Sequence, residues 1–321
     1  MARMQGKATS DDVQYFAGVD VRKAHLDLRV SGTSRGERFR NDETGIAALI
    51  ERLGLPHLVV FEPTGRYHTA LWRALDRAGH GAAPCNPYRA RHPAEGMGRL
   101  AKTDVIDALT LCDIALRLRP VCTSPPDDTA LEIRAIYAAR RALIKRLAMS
   151  RTQATANSNA LVLNLLSAEH SFLAAQIKSL TATLTSLFKA TSETRRAREV
   201  LLSIPGIGEA AASAILTELP ETGSASRGEI AALTGTAPMT QKSGGWRGRA
   251  RTRGGRRSLR TALHMPAIVA MTHNPDLKAF ADRVRARGKN IFAVITATLR
   301  KLIILANTLI AQNQTGTLEK P

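Results

Sequence analysis

The chain has 321 residues, enough for two or three domains and a sizeable core, and 44% of it is hydrophobic. Its 46 Lys and Arg against 27 Asp and Glu leave a formal charge of +19. A chain so basic and still so apolar folds and meets polyanions, which excludes disorder throughout and makes nucleic acid a better partner than small neutral substrates.

Three cysteines, Cys85, Cys112 and Cys122, are odd in number and lack paired spacing, so neither a zinc site nor a disulfide scaffold is expected and the protein reads as cytoplasmic. The first residues, Met1 to Asp12, are polar, and the most lipid-like run, Leu302 to Ala311, is about half the roughly 20 residues a bilayer span needs, so no membrane partner is expected. Aromatic residues make up 4% of the chain, too few for an extended stacking platform along a single strand.

In chain order, Tyr15 to Val21 and the alternating Leu26, Leu28 and Val30 predict a β-hairpin turning at Arg22 and Lys23. A polar segment leads to a helix over Gly45 to Leu53, and Leu58 to Phe61 reads as a buried, central strand ending in Glu62-Pro63-Thr64-Gly65. A helix over Tyr67 to Ala78, a strand over Gly81 to Cys85 and a helix over Thr103 to Leu118 complete an α/β domain. From Asp127 to about Arg198 glycine and proline almost vanish, which predicts long helices. Leu173, Ile177, Leu180, Leu184 and Leu187 make the seam of a coiled coil, equally compatible with an intramolecular helix pair or a dimer contact. The last region holds Ile204-Pro205-Gly206-Ile207-Gly208 between helical patterns, a Gly- and Arg-rich loop from Thr234 to Gly255, and helices over Ser258 to Met271 and Asp276 to Ala311.

Four carboxylates stand at element ends in the first domain. Asp20 closes the first strand, Glu62 closes the buried strand, and Asp104 and Asp107 share one face of the first turn of a helix. Hard cations such as Mg²⁺ or Mn²⁺ take oxygen ligands and serve phosphoryl transfer, so converging acids suit a metal-dependent nuclease. Each acid alone has a structural explanation: a helix dipole for Asp104, a Pro-Thr-Gly turn for Glu62, a hairpin turn for Asp20. Asp27, Asp42 and Glu43 are weaker candidates.

The Ile204 to Gly208 segment has the form of a helix-hairpin-helix turn, in which Gly206 and Gly208 would let backbone N–H groups approach a phosphate. Lys242, Arg247, Arg249, Arg251, Arg253, Arg256, Arg257 and Arg260 form the densest basic run, suited to charge-assisted phosphate contacts. By composition alone, Ser243 within it is a loop serine.

The segments Gly18-Val19-Asp20-Val21, Phe61 to Gly65, Lys102 to Ala108, Ile204 to Gly208, and Gly235-Thr236-Ala237-Pro238 leading to Ser243-Gly244 resemble, in this order, the DEDD transposases of the insertion sequence 110 family, the bridge recombinases. A usually bulkier motif position is Thr236 here. The resemblance implies an α/β plus α architecture: a polar tail over 1–14, an RNase H-like (RuvC-like) catalytic domain over 15–124, a helical coiled-coil region over 125–198, and a mainly helical transposase domain over 199–321. It maps the metal-binding acids onto Asp20, Glu62, Asp104 and Asp107 and the nucleophile onto Ser243. It further implies Mg²⁺- or Mn²⁺-dependent strand exchange through a phosphoserine, double-stranded donor and target DNA as partners, a non-coding bridge RNA as guide, a homodimer or tetramer, and association with the nucleoid during action. Two other readings compete: a RuvC-like junction-resolving nuclease using water as nucleophile, and a non-catalytic nucleic-acid-binding protein.

Overall fold

The computed structural model describes residues 14–65, 67–85, 104–240, 242–243, 246–247 and 251–315. The chain divides at Pro126 and Asp127 into two compact units.

The first unit is built on a five-stranded sheet: β1 (Tyr15–Val21), β2 (His25–Val30), β3 (Glu37–Arg40), β4 (His57–Phe61) and β5 (Gly81–Pro84). Its strand order is β3-β2-β1-β4-β5; β2 is antiparallel to β1 and β3, and β4 is parallel to β1 and β5. Helices α1 (Glu43–Leu53) and α2 (Thr69–Arg77) lie on one face, and α3 (Asp104–Leu118) packs across β1, β4 and β2 on the other.

Strand alternation sorts the side chains between these faces. Ala17, Val19 and Val21 of β1 and Val59 and Phe61 of β4 join Leu49, Leu71 and Leu75 in the core beneath α1 and α2. Phe16 of β1 and Leu58 and Val60 of β4 meet Leu111, Ile114 and Ala115 of α3 instead. Burying each such Leu, Ile or Phe side chain contributes about 2 kcal/mol, so the two layers hold the central strands from both sides. This mixed sheet is compatible with an RNase H-like domain.

The second unit opens with a helical hairpin of α4 (Asp128–Thr155) and α5 (Ala160–Ala190), about 42 and 46 Å long at 1.5 Å per residue. Arg140 bonds Thr181 at 2.7 Å and Ser150 bonds Glu169 at 2.5 Å, which fixes the pair as antiparallel. The seam faces inward: Leu173 and Leu184 are buried, and Ile177, Leu180 and Leu187 are half-buried.

At the base of the hairpin, Ile133, Tyr137, Leu184 and Phe188 enter one core with the remaining helices, α6 (Ser192–Leu202), α7 (Glu209–Glu218), α8 (Arg227–Leu233), α9 (Arg257–Ala262), α10 (His264–His273), α11 (Pro275–Ala286) and α12 (Ile291–Gln312). The last two helices expected from sequence are each interrupted. Pro266 has no N–H and fits only a first turn, so the helix restarts at His264; Gly288, at φ +72°, ends α11 before Asn290 caps α12.

Helices α5 and α12 are long and apolar enough to cross a membrane by length and composition, a wider apolar span than the expected ten-residue run. Eight residues of α12 are buried in the core, and Arg300 and Lys301 stand in its middle, where a bilayer would make them costly.

Candidate functional site

Asp20 lies on β1 two residues beyond Gly18, on the α3 face, and is 6% exposed. Glu62 follows the last residue of β4 and continues the face of Leu58 and Val60; Val19 and Phe61, the residues before Asp20 and Glu62, are register partners. The two acids therefore leave neighbouring parallel strands at the same end.

Helix α3 runs antiparallel to β1. The Cys112 thiol bonds the Phe16 carbonyl at 3.8 Å, and Gly18 lies against the Ala108 backbone. Each two-residue step along β1 covers about 6.6 Å and each four-residue step along α3 about 6 Å, so the next step pairs Asp20 with the turn that holds Asp104 and Asp107. Asp107 is half-buried; the side chain of Asp104 lies outside the described residues. Three of the predicted acids and the backbone of the fourth thus share one end and one face of the sheet. Among the described side chains no group of three metal-ligating residues is assembled.

Arg22 donates to Asp20 at 3.0 Å, so this carboxylate has a cation beside it. The weaker candidates have structural roles. Asp27 takes the Arg38 guanidinium at 2.7 and 3.2 Å, and Asp42 caps α1 through the Gly45 amide at 2.9 Å. Glu43 is exposed in the first turn of that helix. Sequence reasoning passed over Asn41, whose side-chain amide donates to the Arg22 carbonyl at 2.7 Å and the Tyr67 carbonyl at 3.1 Å. It ties the turn after Asp20 to the loop after Glu62, and a single Asn in a polar stretch carries no signal of that.

In the second unit, the loop expected around Ser243 contains two short antiparallel strand pairs. β6 (Pro238–Met239) pairs with β9 (Arg251–Thr252), and β7 (Lys242–Ser243) pairs with β8 (Trp246–Arg247). Ser243 stands opposite Trp246, and Lys242 opposite Arg247. The side chains of these four lie outside the described residues, as do Arg249 and Gly244 entirely. Arg251 and Arg253 are exposed on and beside β9, and Arg257 is exposed at the start of α9.

Arg256 differs from its neighbours. It forks onto Glu221 with two contacts of 2.6 Å, and its amide bonds the Leu233 carbonyl at 2.7 Å. Burial, the largest single influence, pushes the Glu221 carboxyl up, but the hydrogen bonds from Arg256, a backbone hydrogen bond and the charges of Arg256 and Arg134 together hold the group below its ordinary range. Arg260 binds the Gly235 and Gly254 carbonyls at 3.1 and 3.0 Å, joining the two ends of the loop. Thr236 is buried and bonds the Ala231 carbonyl at 3.2 Å.

The turn between α6 and α7 separates its two glycines. Gly206 has φ +105°, and a Cβ there would stand 2.6 Å from Ala270 Cβ, so its own packing demands glycine. Gly208 caps α7 with nothing near its Cβ position and is exposed.

Acids at one end of a mixed sheet in the first unit, and a basic helical second unit, are the equipment of a DNA-processing enzyme. The family profile of the DEDD transposases of IS110 matches residues 17–159, and that described as the transposase IS116/IS110/IS902 family matches residues 198–282. The pilin gene-inverting proteins of Moraxella bovis and Moraxella lacunata are each 26% identical over 311 residues, covering 93% of this chain and 96% of theirs. An uncharacterized 43.6 kDa protein of insertion element IS110 from Streptomyces coelicolor is 32% identical over 120 residues, covering 37% of this chain and 29% of its own. The chain carries both domains of the IS110-family transposases in order and belongs to that family.

Proposed function

We propose that this transposase cuts and exchanges DNA strands through a covalent phosphoserine, with a bridge RNA choosing the sites. The observation that carries the reading is the common end and face shared by Asp20, Glu62 and the first turn of α3. All four predicted ligands are carboxylates, the hard oxygen donors that a divalent cation such as Mg²⁺ or Mn²⁺ prefers. Asp20, Glu62, Asp104 and Asp107 would hold such a cation, which supplies charge stabilisation for phosphoryl transfer.

The Ser243 hydroxyl oxygen would bond to phosphorus as the bond to one deoxyribose oxygen breaks, the serine proton passing to the departing strand as its hydroxyl. A hydroxyl of the second duplex then attacks the phosphoserine, restoring Ser243 and joining the strands. One phosphodiester is broken and one made, so no nucleotide triphosphate is consumed. Arg251 and Arg257 would hold the DNA backbone beside the strand pairs.

Ser243 and the acids lie in separate compact units, which suits a dimer or tetramer in which one working site draws them from different protomers. The name of the Moraxella relatives, gene-inverting, supports DNA rearrangement as the outcome. Delegating site choice to RNA suits a chain whose arginines favour phosphates over base edges.

The test is a denaturing gel for a protein–DNA adduct, with wild type, Ser243→Ala and Asp104→Ala, in Mg²⁺ or EDTA, with RNA co-purified from the native locus. An adduct that needs the serine, the acid and the metal is expected. Mg²⁺-dependent cleavage that survives Ser243→Ala without adduct would replace this reading with a resolvase-like nuclease.

A further inference from the structure

The second unit has a cavity of about 800 Å³ beside the β6–β9 pair, outside the acid cluster. Pro238 and Thr252, from the paired strands β6 and β9, form one wall, and α11 and α12 form another. Its chemistry is unusual for this chain. Arg227, Arg251, Arg300 and Lys301 line it together with Phe280 and Phe292, and among the described residues no acidic side chain does.

The two rings differ in availability. Lys301 Nζ stands 5.3 Å from the centroid of Phe280 and covers it. Phe292, in the first turn of α12, is 71% exposed, a large apolar surface left to water in a chain with few aromatic residues.

We propose that this cavity receives one unpaired nucleotide of a nucleic-acid strand, its base stacked on Phe292 and its phosphate among Arg227, Arg251 and Arg300. The proposal rests on the reading of the chain as a nucleic-acid recombinase and names a binding site that reading does not contain. Four cations without an acid select a polyanion over an apolar or cationic peptide. A ring offered beside them selects a polyanion that also carries a flat π-face. A base in a duplex is stacked on both sides and cannot enter, whereas a splayed base with its phosphate suits a cavity of this size. Along the chain β6 and β9 flank the β7–β8 pair that holds Ser243, so the cavity is walled by the segments on either side of the serine-bearing pair.

Fluorescence anisotropy tests this on the full chain, with a labelled ribo-oligomer, the deoxyribo-oligomer of the same sequence and the corresponding blunt duplex. The variants are Phe292→Ala, which removes the exposed ring, and Thr296→Trp, which fills the space; thermal melting checks that each is folded. Single-strand affinity is expected to fall roughly ten- to a hundredfold in both variants while duplex affinity holds. A larger loss with the ribo-oligomer assigns the nucleotide to RNA, and with the deoxyribo-oligomer to DNA; either supports the site. Unchanged single-strand binding in both folded variants, or an equal fall for the duplex, overturns it. Absence of a Ser243-dependent adduct alongside Phe292-dependent oligomer binding would sink the strand-exchange mechanism and leave this site standing.

Discussion

Gly18 and Ala108 are in backbone contact: a Cβ on Gly18 would stand 2.4 Å from the Ala108 carbonyl oxygen and 2.2 Å from the Cys112 amide nitrogen. Backbone cannot swing aside as a side chain does, so Gly18→Ala must lift α3 from β1. We expect a cost of at least about 3 kcal/mol, the upper range for overpacking. Urea denaturation should show the loss, and any folded fraction should lack metal-dependent cleavage because the turn bearing Asp104 and Asp107 moves away from Asp20.

Asn41 acts without touching substrate. Asn41→Ala leaves the Arg22 and Tyr67 carbonyls without this donor, at about 1–3 kcal/mol if they stay dry. It should loosen the turn after Asp20 against the loop after Glu62. The expected signature is a raised Mg²⁺ concentration for half-maximal cleavage, with rate recovering at saturating metal. A rate deficit that no metal concentration repairs would count against a positioning role.

The two glycines of the α6–α7 turn should separate folding from binding. Gly206→Ala combines a strained φ with a clash at Ala270 and should lower the melting temperature by several degrees. Gly208→Ala meets open space at φ −97° and should melt as wild type does, while weakening duplex DNA if a backbone phosphate approaches there.

Neighbouring arginines should likewise differ. Arg251→Ala and Arg257→Ala should each flatten the dependence of log affinity on log salt by about 0.9, one phosphate contact apiece. Arg256→Ala should leave that slope nearly unchanged and cost about 1 kcal/mol of stability, since its guanidinium is engaged by a half-exposed Glu221. The Glu221 carboxyl titrates below its ordinary range, so its contribution is complete above that range and lost as pH falls through the lowered folded value. Wild type should therefore exceed Glu221→Gln in urea midpoint at pH 7, and the gap should close in acid.

The central strands were legible because both faces bury side chains, leaving continuous apolar runs at Phe16 to Val21 and Leu58 to Phe61. The edge strand β3 was not, since Glu37-Arg38-Phe39-Arg40 has a single apolar residue. Its polar side chains instead clip the sheet, Arg38 to Asp27 and Glu37 to Arg52 at 2.8 Å. The acids could be picked out because they stand at element ends. The groups that hold the turns after Asp20 and Glu62, Asn41 and Arg22, could not, because their contacts depend on turn geometry rather than periodicity. The strand pairs around Ser243 were equally hidden: two-residue strands are too short to alternate.

Parallel pairing of β1 with β4 has a kinetic consequence. The β1–β2–β3 meander can form from nearest neighbours in sequence, but β4 must reach back past it, and α3 arrives later still. Loop closures of this length are slow steps, paid before the contacts that reward them. During synthesis the hairpin carrying Asp20 would emerge well before Glu62, Asp104 and Asp107, so a truncated or nascent chain would hold one carboxylate clipped to Arg22 and none of the acids that later share its end of the sheet.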